Sequence, residues 1–257
     1  MPSDIKTFLE EAVAKYNRPE FIPNDPICVP HQCTQLQDIE IIGFWTAILA
    51  WGQRKTIIQS GKTLWQCMDK APHDFMVNHT EADRKRFLDF RHRTFQPTDT
   101  LYFLEFFQQY YQQHHSLEDA FLPPNAPFDA VEQALIRFHE RFFALSDAPA
   151  RTRKHIPTPL RQSTCKRLNM FLRWMVRRDA QGVDFGLWHR IGPAQLLIPL
   201  DVHVDRVARR LGLLQRDRTD WQAVLELSET LRQFDPEDPV KYDFALFGLG
   251  VLEPFGN

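Results

Sequence analysis

The chain reads at helical period almost from end to end. Apolar residues recur three and four apart over residues 4–16, 36–51, 54–70, 99–114, 128–145, 164–178, 201–212, 219–233 and 239–252, while period-two alternation is scarce. This pattern predicts an all-α protein. Breaks fall at Pro23-Asn-Asp-Pro26, Pro72-His73, Pro123-Pro-Asn-Ala-Pro127, Ser146-Asp-Ala-Pro149 and Asp235-Pro-Glu-Asp-Pro239. The run from Pro123 to Pro127 divides an aromatic-rich first half from a basic second half, and no internal repeat or low-complexity segment is visible.

Two of the predicted helix starts carry chemistry. Asp201, in Ile198-Pro-Leu-Asp201-Val-His203-Val-Asp-Arg206, precedes a stripe of Val204, Val207, Ala208 and Leu211, which places it at or beside an N-cap. Lys166 opens a second helix, with an apolar stripe of Leu168, Phe171, Leu172, Met175 and Val176 and with Asn169, Arg173 and Arg177 on the other side. A lysine in a first turn faces the positive end of the helix dipole, which favours a free amine and suits a nucleophile. Each residue also has a plainer reading, Asp201 as a cap and Lys166 as one phosphate contact among several. Together, a carboxylate and an amine at two helix starts are the groups needed to cleave a base from DNA.

Composition narrows the classes. A chain of 257 residues, 43% apolar and 12% aromatic, can bury a substantial core. It has no run of about 18 apolar residues, and Met1-Pro-Ser-Asp-Ile-Lys lacks a basic region followed by an apolar stretch, so a cytoplasmic, nucleoid-associated protein is expected. Cys28, Cys33, Cys67 and Cys165 include no Cys-x-x-Cys pair, which suggests neither a disulfide framework nor a zinc site. The net charge of −2 hides an asymmetry: Arg151 to Arg178 holds nine Lys or Arg and no acid, while Arg216 to Asn257 holds nine acids against four bases. A basic block among Thr, Ser, Gln and Asn suits a phosphate backbone; a solvated helix face is the ordinary alternative.

Three segments carry a family resemblance. The run Leu200-Asp-Val-His203-Val-Asp-Arg206-Val-Ala-Arg-Arg-Leu-Gly212 resembles the aspartate segment of the helix-hairpin-helix DNA glycosylases, the endonuclease III and 8-oxoguanine glycosylase superfamily. Leu160 to Asn169 resembles, without a gap, the Leu-Pro-Gly-Val-Gly-x-Lys-x-x-Asn hairpin of that superfamily. Ile41 to Thr56 is similar to the helix that ends in Leu-Ser-x-Gln-x-Thr beside the lesion. Gln162 and Thr164 stand where the hairpin has glycines, so its phosphate-gripping nest is absent or reshaped. The long interval from Lys166 to Asp201 looks more like the archaeal 8-oxoguanine glycosylase branch, and Lys166 to Arg177 also resembles a run in a bacterial family without an assigned activity.

The resemblance implies a single two-lobed helical domain over 1–257. Residues 1–35 and 215–257 form one lobe, and 36–214 form the other, with the atypical hairpin at 156–178 and the aspartate helix at 201–212. It implies a base-excision glycosylase and AP lyase acting as a monomer on duplex DNA with a damaged base, 8-oxoguanine or another oxidised purine first. An oxidised pyrimidine or alkylated purine stays open. Lys166 is then the Schiff-base nucleophile and Asp201 its electrostatic and proton-transfer partner. The DNA-side set comprises Gln53, Arg54, Lys55, Arg161, Ser163, Thr164, Arg167, Asn169, Arg173, His203 and Arg206. No cysteine follows Cys165, so the terminal iron–sulfur loop of many relatives cannot form; no metal, other cofactor or membrane contact is expected.

Other residues invite functional readings and receive plainer ones. His31, His114 and His115 have no carboxylate or cysteine at ligand spacing. Tyr102, Phe103, Phe106, Phe107, Tyr110 and Tyr111 have the spacing of a core face, although a flipped base stacks on such rings. Trp45, Trp51 and Trp174 divide between packing and sandwiching an extruded base. A catalytically inert helix-hairpin-helix-like module that binds DNA or protein is the second reading, favoured by the altered hairpin. A metal-dependent helical hydrolase is a third and lacks a ligand cluster.

Overall fold

The computed structural model describes residues 4–123 and 128–253. Its α-helices are α1 Ile5–Tyr16, α2 Leu36–Ile48, α3 Arg54–Cys67, α4 Pro72–Asn78, α5 Glu81–Arg84, α6 Pro97–Tyr111, α7 Glu118–Phe121, α8 Val131–Phe142, α9 Lys166–Val176, α10 Val202–Arg210, α11 Trp221–Phe234 and α12 Tyr242–Val251. Among the described residues there is no strand, only an isolated bridge between His92 and Phe95. No helix among them is long and apolar enough to cross a membrane. The protein is all-α, as the periodicity predicts. The break read at Pro72 separates α3 from α4, a helix the periodicity does not predict, and Pro72 opens α4 at its first position, where a missing N–H costs nothing. Most of the 123–127 boundary lies outside the described residues.

The chain divides into two compact units, residues 23–129 with 133–157, and residues 1–22 with 130–132 and 158–257. This differs from the lobes read off the sequence: residues 158–214, with the hairpin, cluster with the two ends of the chain, and residues 23–35 do not.

The first unit is built around α2, whose residues from Ile39 to Ile48 are buried on every side. Phe44 packs against Phe103, Phe107, Phe138 and Phe142, and Trp45 against Phe95, Phe103 and Phe107. The six aromatic residues of α6 singled out above are all buried, so they are core and not a base platform. Two buried acids are satisfied locally. Glu40 accepts from the Tyr111 hydroxyl at 3.0 Å, the Ser116 hydroxyl at 2.5 Å and the Leu117 N–H at 3.0 Å. Asp99 accepts from the Thr152 hydroxyl at 2.7 Å, the Gln96 N–H at 2.8 Å and Arg151.

Burial pushes the Asp99 carboxyl up, but hydrogen bonds from His155, Thr152 and Gln96 outweigh it and hold the group at about 2. A carboxyl lowered by folding stabilises the fold above its unfolded value of about 3.9, and that contribution disappears as pH falls from about 4 to about 2. Urea unfolding of wild type and Asp99→Asn at pH 5 and pH 2 tests this. The stability gap between them narrows by about 2 kcal/mol at the lower pH.

The second unit packs α12 against both α1 and α10. At Gly248 a Cβ would lie 2.3 Å from the Tyr16 ring, so only glycine allows α1 and α12 to approach this closely. Helix α9 lies deep in the unit, with every residue from Leu168 to Val176 buried. Its polar stripe is therefore not a solvated face. Arg173 donates to Asp184 at 3.2 Å and to Asp243; Arg177 donates to Asp184 at 3.1 Å, Asp238 at 3.0 Å and Asp179 at 2.7 Å. Both guanidiniums lie over the Phe244 ring, at 4.4 and 5.3 Å from its centroid. These ion pairs join α9 to the loop after it and to α12, and Asn17 at the end of α1 donates to Asp179 at 2.5 Å. With the packing of α10 against α12, they tie 158–214 to the chain ends. Arg177→Ala leaves Asp184 and Asp238 without their shared partner and is expected to cost about 3–5 kcal/mol, read as a lower urea midpoint at an unchanged m-value.

Candidate functional site

The candidate site begins with the turn before α9. Thr158 leads into a 3-10 turn, Pro159–Arg161, after which Gln162 and Cys165 both adopt left-handed backbone, at φ 56° and 49°. Gln162 thus keeps a glycine-like conformation at a position where the resembling hairpin has glycine. A side chain costs about 1 kcal/mol there, so other contacts hold the turn. The Gln162 carbonyl accepts from the Trp221 N–H at 3.2 Å, the Ser163 hydroxyl accepts from the Cys165 N–H at 3.2 Å, and Asn169 donates to the Thr164 carbonyl at 3.2 Å. Cys165 is buried and its thiol is pushed up to about 12 by that burial, so it is not a nucleophile.

The turn places Lys166 at the first position of α9, and Asp201 is the N-cap of α10. Asp201 divides its two oxygens. Oδ1 accepts from the His203 and Val204 N–H groups at 2.9 and 3.0 Å, while Oδ2 faces Lys166 Nζ at 3.7 Å. Both side chains keep about a fifth of their surface exposed, 23% for Lys166 and 20% for Asp201. The expected pair therefore lies within one unit, far inside the roughly 10 Å scale of a nucleotide. Leu160 within the turn and Val202 after the cap are unusually exposed for their type, at 67% and 72%. Open apolar side chains thus flank the pair in sequence.

The predicted DNA-side residues fare unevenly. Arg161 is exposed, and Ser163 and Thr164 are half-buried in the turn. Asn169 and Arg173 are buried, the first tying down the turn and the second pairing with Asp184 and Asp243, so neither is a surface phosphate contact. Arg167 is half-buried, and burial lowers its guanidinium to about 10, although Cys165 opposes the shift. His203 is half-buried, and Arg206 donates to the Gly250 carbonyl at 2.8 Å, fastening α10 to α12. Gln53 and Lys55 are exposed and Arg54 half-buried at the start of α3, in the other unit. Trp45 and Trp174 are fully buried and pack as core; Trp51 is half-buried beneath Arg93, whose guanidinium lies 5.1 Å from its ring centroid.

One member of the cluster was missed in the sequence. Asp243, in the first turn of α12, is buried, held by Arg173, and acted on through space by both Asp201 and Lys166. Its signal was an acid opening the otherwise apolar run Phe244-Ala-Leu-Phe-Gly-Leu-Gly-Val.

Capping and chemistry at Asp201 separate by substitution. Asp201→Ala removes the cap and is expected to cost about 1 kcal/mol in urea unfolding, whereas Asp201→Asn keeps a capping oxygen and stays within about 0.5 kcal/mol of wild type. Among described residues no group of three or more His, Cys, Asp or Glu is arranged to hold a metal ion.

A family model described as a protein of unknown function (DUF2400) matches residues 25–252, covering the turn, Lys166, Asp201 and Asp243. No curated protein and no solved structure matches the chain.

Proposed function

The chain belongs to this DUF2400 family, and we propose that it is a DNA base-excision glycosylase with an associated β-elimination lyase step, acting on an oxidised purine such as 8-oxoguanine. The observation that carries this reading is the 3.7 Å approach of Lys166 Nζ to Asp201 Oδ2, each at a helix start and each partly open to solvent. An amine and a carboxylate so placed match the demands of displacing a base from a sugar carbon.

Chemistry inside a duplex requires the target nucleotide to be extruded, at a cost of a few kcal/mol. Lys166, having passed its proton to Asp201 or to water, attacks C1′ of the sugar. The Nζ–C1′ bond forms as the glycosidic C–N bond breaks, and the base leaves with that electron pair and takes up a proton. In this reading Asp201 Oδ2 stabilises the positive charge that develops on the sugar, while Oδ1 remains held by two backbone N–H groups. The Nζ lone pair then expels O4′ from C1′, opening the sugar ring as O4′ takes up a proton, and the resulting Schiff base permits loss of the 2′ proton and elimination of the 3′ phosphate.

A second reading is an inert binding module on the same scaffold. The non-glycine turn at Gln162 and Thr164 favours it, as does the withdrawal of Arg173 and Arg177 into ion pairs. Borohydride trapping on duplexes containing 8-oxoguanine or an abasic site discriminates. A covalent complex is expected with wild type, none with Lys166→Ala, and a rate about 10²–10³-fold lower with Asp201→Asn. DNA binding without trapping or base release on any lesion supports the inert module.

A further inference from the structure

Three short segments of the first unit, residues 51–55, 91–95 and 151–155, meet at one place. Residues 92–95 close a tight turn through two backbone hydrogen bonds, His92 N–H to the Phe95 carbonyl at 3.0 Å and Phe95 N–H to the His92 carbonyl at 2.9 Å. The buried His92 ring fastens this turn to the first segment, its Nε2 lying 3.3 Å from the Trp51 carbonyl. A carbonyl only accepts, so Nε2 carries the proton, and Nδ1 of the neutral ring accepts from the Ser60 hydroxyl at 2.9 Å. The third segment joins through Arg151, which donates to the Thr94 carbonyl at 3.1 Å, and through His155, whose ring centroid lies 4.9 Å from that of Phe95 and 6.3 Å from that of Trp51.

This assembly presents Arg93. Its guanidinium lies over the Trp51 ring, 5.1 Å from the centroid, while the residue as a whole stays exposed. Two unusual backbone conformations accommodate it. Arg93 itself is left-handed at φ 56°, and Gly52 stands at φ 105°, where a Cβ would lie 2.5 Å from the Arg93 guanidinium. An ordinary surface arginine needs neither. Among the described residues no carboxylate is paired with Arg93, and Lys55, Arg91 and Lys154 are further exposed cations of the same segments. The three segments contain no Asp or Glu; the acids flanking the turn are the exposed Asp89 and the buried Asp99, which Arg151 already holds.

We infer that Arg93 is a DNA-backbone contact of the first unit, its guanidinium preset on Trp51 to receive a phosphate on its open edge. A flat cation restrained by a ring loses little freedom on binding, and its parallel N–H donors match two phosphate oxygens. Cations drawn from three segments suit an anion that repeats along a chain, and the exposed Gln53 and Thr94 add neutral hydrogen-bonding groups. The inference shares with the glycosylase reading only the choice of DNA as partner and needs no release of a base.

The test is binding of the full-length protein to a fluorescein-labelled duplex carrying a tetrahydrofuran abasic analogue, which cannot form a Schiff base, followed by anisotropy from about 50 to 200 mM salt. Arg93→Gly is the informative variant, because glycine suits the left-handed backbone and removes the charge without endangering the fold. It is expected to keep or raise the urea midpoint, to bind on the order of 10-fold more weakly at about 0.1 M salt, and to shallow the log–log salt slope by about 0.9. Arg93→Lys keeps the slope. Lys6→Ala, an exposed cation of α1 in the other unit, leaves affinity and slope as in wild type.

Unchanged affinity and slope in a folded Arg93→Gly overturn the inference, and so does an equal loss in Lys6→Ala, which would mark bulk charge alone. Polyglutamate that displaces the duplex as well as unlabelled DNA of equal charge also overturns it, in favour of an acidic protein partner. Failure of the glycosylase reading looks different: no covalent trapping by wild type, with the Arg93-dependent salt slope intact. Trapping by wild type together with unaltered binding by Arg93→Gly is failure of this inference alone.

Discussion

Two arginines that cannot reach water organise the half of the protein that carries the chemistry. Arg173 and Arg177, one turn apart on α9, hold Asp184, Asp238, Asp243 and Asp179 from three other places in the chain. Charges this deep are costly to desolvate, and their mutual attraction compensates only when every donor finds an acceptor. That demand fixes where α12 begins, how the loop after α9 runs, and where α1 ends. Since Lys166 heads the same helix, the network also fixes the position of the amine.

The second constraint is the capping of α10. Asp201 satisfies two free N–H groups with one oxygen, and this leaves the other oxygen rigidly aimed at Lys166. Secondary-structure chemistry thus supplies the preorganisation that a reacting site requires, because a carboxylate tethered by backbone does not reorient when charge develops beside it. The turn before α9 works in the same sense. Its left-handed Gln162 and Cys165 are held against their own conformational preference by hydrogen bonds from Trp221 and Asn169, and by the burial of Cys165. A hairpin without glycine can therefore still deliver a lysine to a helix start, and the fold around it bears the strain.

Helix periodicity was legible because it is a local property: nine apolar patterns became nine of the longer helices, while α4, α5 and α7, of seven residues or fewer, are too short to show a period. The caps were equally legible, since Asp201 and the first-turn Lys166 follow from residues within one turn of each. The polar side of α9 was misread for a matching reason. Arg173 and Arg177 have the spacing of a solvated or phosphate-facing stripe, and nothing within the helix tells that they meet aspartates 2 to 70 residues away. Asp243 was hidden likewise, its role depending on Arg173 rather than on its neighbours in sequence.

The sequence by itself determined the all-helical class, the helix limits to within a few residues, and the two chemical groups at the starts of α9 and α10, because propensity, capping and proline act over one or two turns. Only the tertiary structure decided that Lys166 and Asp201 meet, that the basic stripe is a buried ion network, and that residues 158–214 join the chain ends. The first two depend on pairing between charges far apart along the chain, where a buried charge is settled by whatever partner the fold brings to it, and the third also on the packing of α12 against α1 and α10.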